Sequence, residues 1–211
     1  MKKKLTFFFT LIILFCLYIF LLSVNYAKSI SANLSSSVFR LHIIANSDSV
    51  EDQQLKLLIR DDIISYMSTL VSTTSTKSDV NRLISDHLED FKNIALETIH
   101  SNGYNYDVNI SIGNFYFPTK SYANVSFPSG YYDALKIEIG EAIGQNWWCV
   151  LFPPLCFVNS SSGVLPEDSK VILKENLNSE SYNIINSTNE EQNTDNSIKI
   201  KFKIVELFNN F

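Results

Sequence analysis

The spacing of apolar positions changes several times along this chain and divides it into distinct regions. Apolar residues run from Leu5 to Leu22, broken only by Thr6 and Thr10. Residues 39–45 alternate and are rich in strand-forming side chains, which predicts a strand. Between residues 50 and 100 the apolar positions recur every three or four residues, as in amphipathic helices. From Tyr104 the period falls to about two, which again predicts strands.

The helical region predicts two helices that form a hairpin against a sheet. Ser49 and Asp52 have the spacing of a capping box at the start of the first helix. Residues 71–78 form a Ser/Thr-rich turn. The second helix is expected to begin near Asp79 and to end at Gly103, since glycine readily adopts the left-handed conformation that closes a helix.

The strand region predicts an antiparallel β-meander. Its expected turns lie at Gly113-Asn114, at residues 128–130 and at residues 140–146, where glycine or proline interrupts the alternation. Together with the strand and helices before it, this gives an α+β fold class: an N-terminal strand and helical hairpin packed on an antiparallel meander, after an N-terminal signal or anchor helix.

The chain beyond Asn159 is more polar. Short helices are expected after Pro166 and over residues 179–185, and a flexible linker over residues 186–197. Residues 198–204 alternate strictly between apolar residues and lysine, which predicts a strand at the edge of a sheet.

The N-terminus indicates export. Lys2, Lys3 and Lys4 precede the apolar run, the arrangement of a secretory signal or of a membrane anchor with its basic end in the cytoplasm. Asn25 and Ile30 stand at the −3 positions of cleavage after Ala27 or Ala32, where small residues are preferred, so cleavage and anchoring both remain open. We expect a signal peptide or anchor over 1–27, a spacer over 28–38 and one signalling domain over 39–211.

The charge of the exported part argues against nucleic-acid binding. Of the 17 basic residues, setting aside the three N-terminal lysines leaves 14 against 22 acidic residues, a net charge of −8. No cluster of lysine or arginine is available to neutralise several phosphates.

A dense aromatic segment lies at residues 146–157 and contains both tryptophans, two prolines, Cys149 and Cys156. In an oxidising compartment a disulfide is favoured for these two cysteines, since Cys16 lies in the targeting segment. A reduced, buried pair is the alternative. Zinc is disfavoured because no further ligands follow at the usual spacings.

No catalytic motif is present. His42, His87 and His100 are each explained by a strand, a helix stripe or a helix end, and none is spaced with a nucleophile. The segment 46–48 is explained as a strand exit and helix cap rather than an active loop. We therefore expect a protein that is not an enzyme, with no cofactor and no metal.

A binding role fits the aromatic residues better, because aromatic anchors on a rigid loop are typical of protein recognition. For any one aromatic residue, burial in the core is the commoner role. The partner-binding candidates are Phe115, Phe117, Lys120, Tyr122, Trp147, Trp148, Phe152, Pro153, Pro154 and Phe157.

Several blocks of this sequence resemble the stage II sporulation protein R family. The similarity spans roughly residues 39–206 apart from the linker. It is carried by Ile44-Ala45-Asn46-Ser47-Asp48-Ser49, by Phe115-Tyr116-Phe117-Pro118-Thr119-Lys120, by Ile139-Gly140 with Gly144 and Asn146, by the whole of residues 147–157, and by Lys201-Phe202-Lys203 with Val205-Glu206.

The resemblance implies a signalling protein of endospore-forming bacteria. Members are made in the forespore and exported into the space between the two septal membranes. There they activate a membrane-embedded aspartic protease of the mother cell, which cleaves the precursor of sigma factor E. The alternatives are a membrane-anchored cell-envelope binding domain, or an enzyme with an unrecognised site.

Overall fold

The computed structural model describes residues 2–71, 76–122, 125–156 and 167–186. Helix α1 (Lys2–Ser37) leads into strand β1 (Phe39–Ile44), followed by helices α2 (Val50–Leu70), α3 (Lys77–Asp86) and α4 (Leu88–Ser101). The strands β2 (Val108–Phe117), β3 (Lys120–Tyr122), β4 (Val125–Phe127), β5 (Gly130–Ile139) and β6 (Asn146–Phe152) come next, and then α5 (Glu167–Asn176) and α6 (Ser179–Asn186). The α+β class is confirmed.

The central sheet has four strands in the order β2-β5-β1-β6, and β3 and β4 pair as a separate two-stranded sheet. β1 is parallel to β5 and antiparallel to β6, while β2 is antiparallel to β5. The predicted meander is therefore only partly confirmed, because β1 is inserted between β5 and β6. All six residues of β1 are buried or nearly so, which suits a central strand covered on both faces.

Each face of the sheet carries its own hydrophobic core. Phe39, Leu41 and Ile43 of β1 lie in one core, together with apolar residues of α2, α3 and α4. The opposite face is covered by β4, α5, α6 and the second half of α1, whose Ala27, Ile30 and Leu34 are buried. The result is a sheet between two layers, and alternate residues of β1 point to different layers.

The N-cap at Ser49 and the glycine end of α4 are confirmed, but the capping box predicted at Ser49 is only half formed, because the amide of Ser49 donates to the hydroxyl of Ser47 and not to Asp52. The Ser49 hydroxyl accepts a hydrogen bond from the amide of Asp52, 3.1 Å away, at the start of α2. At the end of α4, Gly103 has φ +82°, and the amides of Gly103 and Tyr104 donate to the carbonyls of His100 and Ile99. This pair of bonds is the Schellman arrangement, which satisfies the last carbonyls of a helix.

The second predicted helix is two helices, α3 and α4, which meet at His87. Its backbone leaves helical geometry at φ −108° and ψ 18°. The ring is held by the hydroxyl of Tyr66, 3.0 Å from Nδ1, and by the carboxylate of Asp90, 2.7 Å away. With the break at this position, apolar residues of both helices reach the same core.

The turn predicted at Gly113-Asn114 is wrong, because β2 runs straight through it. Gly113 pairs with Ala134 and Asn114 pairs with Asp133 of β5. The ring of Phe115 lies over Gly113, 3.0 Å from where a Cβ would be. The glycine therefore makes room for an aromatic ring on the same face of the strand rather than a turn.

Residues 28–38, interpreted from the sequence as a spacer, continue α1 as far as Ser37. Within this segment Ile30 and Leu34 are buried on one side of the helix. Two apolar positions are too few to form a recognisable helical pattern in the sequence. The linker beyond Asn186, the strand at 198–204, Pro166 and Phe157 lie outside the described residues.

Candidate functional site

The aromatic segment forms a closed loop at the end of the edge strand β6. Cys149 and Cys156 are joined by a disulfide with their Cα atoms 5.5 Å apart. Pro153 and Pro154 turn the chain, and the amides of Leu155 and Cys156 both donate to the carbonyl of Val150 at 3.2 Å. The disulfide favoured from the sequence is thus present. It fixes the loop against β6.

The structure separates the predicted contact residues into core and surface. Phe117 and Phe152 are fully buried, and Pro153 is buried as well. Burial leaves these three side chains little or no surface that a partner of the folded protein could contact. Half-buried positions that retain some accessible surface are Phe115, Lys120, Tyr122, Trp147, Trp148 and Pro154.

Arg40 lies at the centre of the aromatic cluster, although nothing in the sequence singled it out. It is fully buried. Its guanidinium carbon is 4.1 Å from the ring centre of Phe117 and 4.9 Å from that of Tyr132, distances of cation–π contacts. Nη2 donates to the hydroxyl of Tyr122 at 2.8 Å, and Nε donates to the carbonyl of Cys149 at 3.4 Å.

Through these contacts Arg40, in β1, connects the other three strands of the central sheet with the β3–β4 pair. Within the described ranges no carboxylate pairs with Arg40, and Nη1 has no hydrogen-bond partner. A buried cation is therefore stabilised by aromatic faces and neutral acceptors. The sequence signal for it is a single arginine in a central strand whose other residues are apolar except for His42.

His42 and Trp148 stack on the same face of the sheet. Their ring centres are 3.7 Å apart and their planes 17° apart. His42 Nε2 is 2.6 Å from Asn146 Oδ1, an acceptor, so Nε2 carries the proton and donates. Burial lowers the pKa of His42; Lys136 and Arg40 lower it further, while the bond to Asn146 and the charge of Glu138 oppose them.

Trp147 points to the opposite face, where Arg60 of α2 lies over its ring at 4.4 Å. The two tryptophans are therefore part of different layers, as alternation along a strand requires. Each is packed by a neighbour and only partly accessible. Trp147 and Trp148 cannot act as one continuous patch.

Outside α1, the most exposed aromatic residues of the described chain are Tyr116 and Tyr131, which are not among the partner-binding candidates predicted from the sequence. They face each other across β2 and β5, with ring centres 5.6 Å apart in an edge-to-face arrangement. Their side chains are 40% and 59% exposed. The available signal is the alternation itself: once Phe115 and Phe117 point inward, Tyr116 must point outward.

At the C-terminal end of β1, the segment that follows the strand contacts the loop between β5 and β6. The loop between β5 and β6 crosses the end of β1, and the amides of Ile143 and Gly144 donate to the carbonyls of Asn46 and Ala45. The amide of Glu141 donates to Asn46 Oδ1 at 2.9 Å. We call residues 45–49 and 140–145 the junction. Its hydrogen bonds hold the two segments together.

Buried polar groups complete the junction. Asp52 accepts from the hydroxyl of Ser47 at 2.5 Å and from the side-chain Nδ2 of Asn46 at 2.8 Å. Burial would raise the pKa of Asp52, but these bonds outweigh it and hold the pKa below its usual value. Lys56 donates to the carbonyl of Gln145 at 2.9 Å, and burial lowers its pKa. The interpretation of 46–48 as strand exit and helix cap accounts for these contacts.

The described residues contain no group of three or more His, Cys, Asp or Glu side chains placed to hold a metal ion. A groove of about 520 Å³ lies between α2 and α4, lined by polar side chains such as Asp62, Thr98 and Glu97. The Thr98 hydroxyl donates to Asp62 at 2.7 Å, which ties the two helices together.

A family model and a known protein both relate this chain to the same family. The family model for stage II sporulation protein R matches residues 35–162. Stage II sporulation protein R of Bacillus subtilis (strain 168) is 40% identical over 163 residues, which is 72% of this chain and 73% of that protein. No solved structure matches. The matched range contains the junction, the Arg40 cluster and the disulfide loop, and the chain belongs to the stage II sporulation protein R family.

Proposed function

We propose that this protein is an exported signal of endospore formation that activates a membrane-embedded aspartic protease of the mother cell, and so triggers processing of the sigma factor E precursor. The observation that carries the proposal is membership in the stage II sporulation protein R family over most of the chain. The activity belongs to the protease. The present chain would act by binding it.

The fold is compatible with such a role. The N-terminal half of α1 is apolar enough to direct the chain to a membrane, and the disulfide suits an oxidising compartment outside the cytoplasm. The domain beyond it is rigidly cross-linked by the Arg40 cluster and the junction. A rigid surface favours tight binding, because little conformational entropy is lost when it docks.

The docking surface we propose is the exposed pair Tyr116 and Tyr131 on the β2–β5 ribbon. Trp148 is not part of it, because its ring packs against Phe117, which points to the opposite face of the sheet from Tyr116. Tyrosine is a frequent anchor at protein interfaces because its ring is apolar and its hydroxyl is polar.

Activation follows if this surface binds the active state of the protease more tightly than the inactive state. A ligand shifts a conformational equilibrium only by the difference of its affinities for the two states. Docking on the extracytoplasmic part of the protease would then favour its active arrangement, which we take to be a dimer.

The test uses a strain that lacks the gene and is complemented with variants. The double variant Tyr116→Ser/Tyr131→Ser removes the exposed pair, and Val171→Ser on α5, 52% exposed, is a matched control. We expect precursor processing to be lost or strongly reduced with the double variant and normal with the control, at equal levels of exported protein. Normal processing with the double variant would contradict the proposal that Tyr116 and Tyr131 form the docking surface.

A further inference from the structure

Helix α1 has two halves with different surroundings. From Phe7 to Leu22 its large apolar side chains are 40–69% exposed and face all directions. From Ala27 onward one side of the same helix is buried, with Ala27, Ile30 and Leu34 at most 1% exposed. The helix is continuous from Lys2 to Ser37, and no proline or glycine interrupts it.

The second half of α1 is part of the domain core. Ala27, Ile30 and Leu34 share a hydrophobic cluster with residues of β4, β5, α5 and α6, among them Phe127, Tyr132, Leu173 and Ile184, and with Leu177 between α5 and α6. The hydroxyl of Ser37 donates to the carbonyl of Asn176 at 2.7 Å, and Lys77 of α3 donates to the carbonyl of Ser35. The domain is therefore built around this segment and not merely attached to it.

The first half suits a lipid bilayer. Twenty helical residues span roughly 30 Å, the thickness of the hydrocarbon core. The hydroxyls of Thr10 and Ser23 donate to the carbonyls of Phe7 and Ile19 within the helix, so the interior of the bilayer would leave neither of them unsatisfied. The apolar run of Leu5 to Leu22 is also longer than the 7–15 residues usual for the core of a cleaved signal peptide.

We infer that α1 is retained in the mature protein and holds the domain on the membrane by one continuous helix. Cleavage after Ala27 would remove Tyr26 and Ala27 from the core, and cleavage after Ala32 would remove Ile30 as well. Asn25 and Ile30, at the −3 positions, disfavour both cuts. The inference deepens the proposed function: the signal acts as a membrane-bound protein on a membrane-embedded partner.

The experiment follows the full chain, tagged at its C-terminus, in a Gram-positive host. Mass spectrometry of the isolated protein and extraction of membranes with alkaline carbonate report cleavage and anchoring. We expect the uncleaved mass and retention in the membrane pellet. Asn25→Ala places alanine at −3 and −1 of the cut after Ala27 and is expected to shift protein to a shorter, released form. A wild-type protein that begins at residue 28 or later and is soluble overturns the inference.

Thermal stability of the full chain in detergent tests the structural half of the argument. Leu34→Ala removes a fully buried side chain and is expected to lower the Tm by ~5–15 °C. Leu17→Ala, in the exposed half, is the matched control and should leave the Tm of the domain unchanged. Equal Tm values for the two variants would contradict a core role for the second half of α1.

Measuring precursor processing together with cleavage and membrane retention of this protein separates the retained anchor from the proposed function. A cleaved, released protein that restores precursor processing overturns the retained anchor and leaves the proposed function standing. A retained, correctly folded protein that fails to restore processing overturns the proposed function and leaves the anchor standing.

Discussion

Gly144 lies so close to Ser47 that a Cβ at position 144 would be 2.2 Å from the Ser47 carbonyl oxygen. The loop cannot retreat without losing the hydrogen bonds from the amides of Ile143 and Gly144 to Asn46 and Ala45. A glycine is therefore required here for close approach of two backbones, and its φ is not in the left-handed region. This contact joins two segments almost a hundred residues apart in sequence.

The first prediction is that Gly144→Ala destabilises the domain by about 2–4 kcal/mol, because the added methyl must push the junction open. Gly103→Ala is the control: φ is +82° there, but no atom lies within 4 Å, so only the conformational cost of about 1–2 kcal/mol applies. Urea unfolding of both variants measures the difference. A smaller loss for Gly144→Ala than for Gly103→Ala would show that the junction yields easily.

The second prediction concerns pH and His42. Burial holds the pKa of His42 below its unfolded value of 6.5, so the unfolded chain takes up the proton first as the pH falls. The contribution of His42 to stability is therefore fully present above pH 6.5 and is lost as the pH falls below it towards the folded pKa. Free energies of unfolding between pH 5 and 8 should show this loss in the wild type and a smaller one in His42→Gln. Identical pH profiles would rule out His42 as the cause.

The third prediction separates the charge of Arg40 from its shape. Lysine at this position keeps a buried cation but lacks the planar group that lies on Phe117 and reaches both Tyr122 and Cys149. Methionine removes the charge and fills a similar apolar volume. We expect Arg40→Lys to lose more stability than Arg40→Met, with thermal unfolding as the measurement. The opposite order would mean that the positive charge itself is needed in the cluster.

The fourth prediction concerns the disulfide. Cys149 and Cys156 are separated by seven positions, and a loop of that length gives an entropic stabilisation of about 2–3 kcal/mol. Cys149→Ala/Cys156→Ala should lose about that much, and a reductant should have no further effect on it. A count of free thiols on the denatured, exported wild-type protein should find none at these two positions. Two free thiols there would contradict the bond.

Much of the helical architecture follows from the sequence because its signals are local. The cap of Ser49 on Asp52 and the left-handed Gly103 are each set by neighbours within a few residues. The break at His87 has no such local signal in the sequence, and one partner of its ring, Tyr66, lies 21 residues away. The order of strands also depends on distant pairing, and alternation alone does not show that β1 lies between β5 and β6.

In the candidate site, too, the features that could be predicted are those that do not depend on strand pairing. The disulfide could be predicted from the compartment and from the two remaining cysteines. Which aromatic residues are exposed could not, because that depends on the register of β2 against β5, which buries Phe117 and exposes Tyr116. The position of Arg40 could not be predicted, because a lone charged residue in a strand is ordinarily expected at a surface. Here residues of the three other strands of the central sheet and of the β3–β4 pair enclose it.

The most direct measurement is reconstitution in a bacterial host that does not sporulate. The host expresses the membrane-embedded protease and the sigma factor E precursor, with or without this protein, and cleavage of the precursor is followed by immunoblotting. We predict cleavage only when this chain is present and carries its N-terminal segment for export. Equal cleavage with and without the chain would contradict the account.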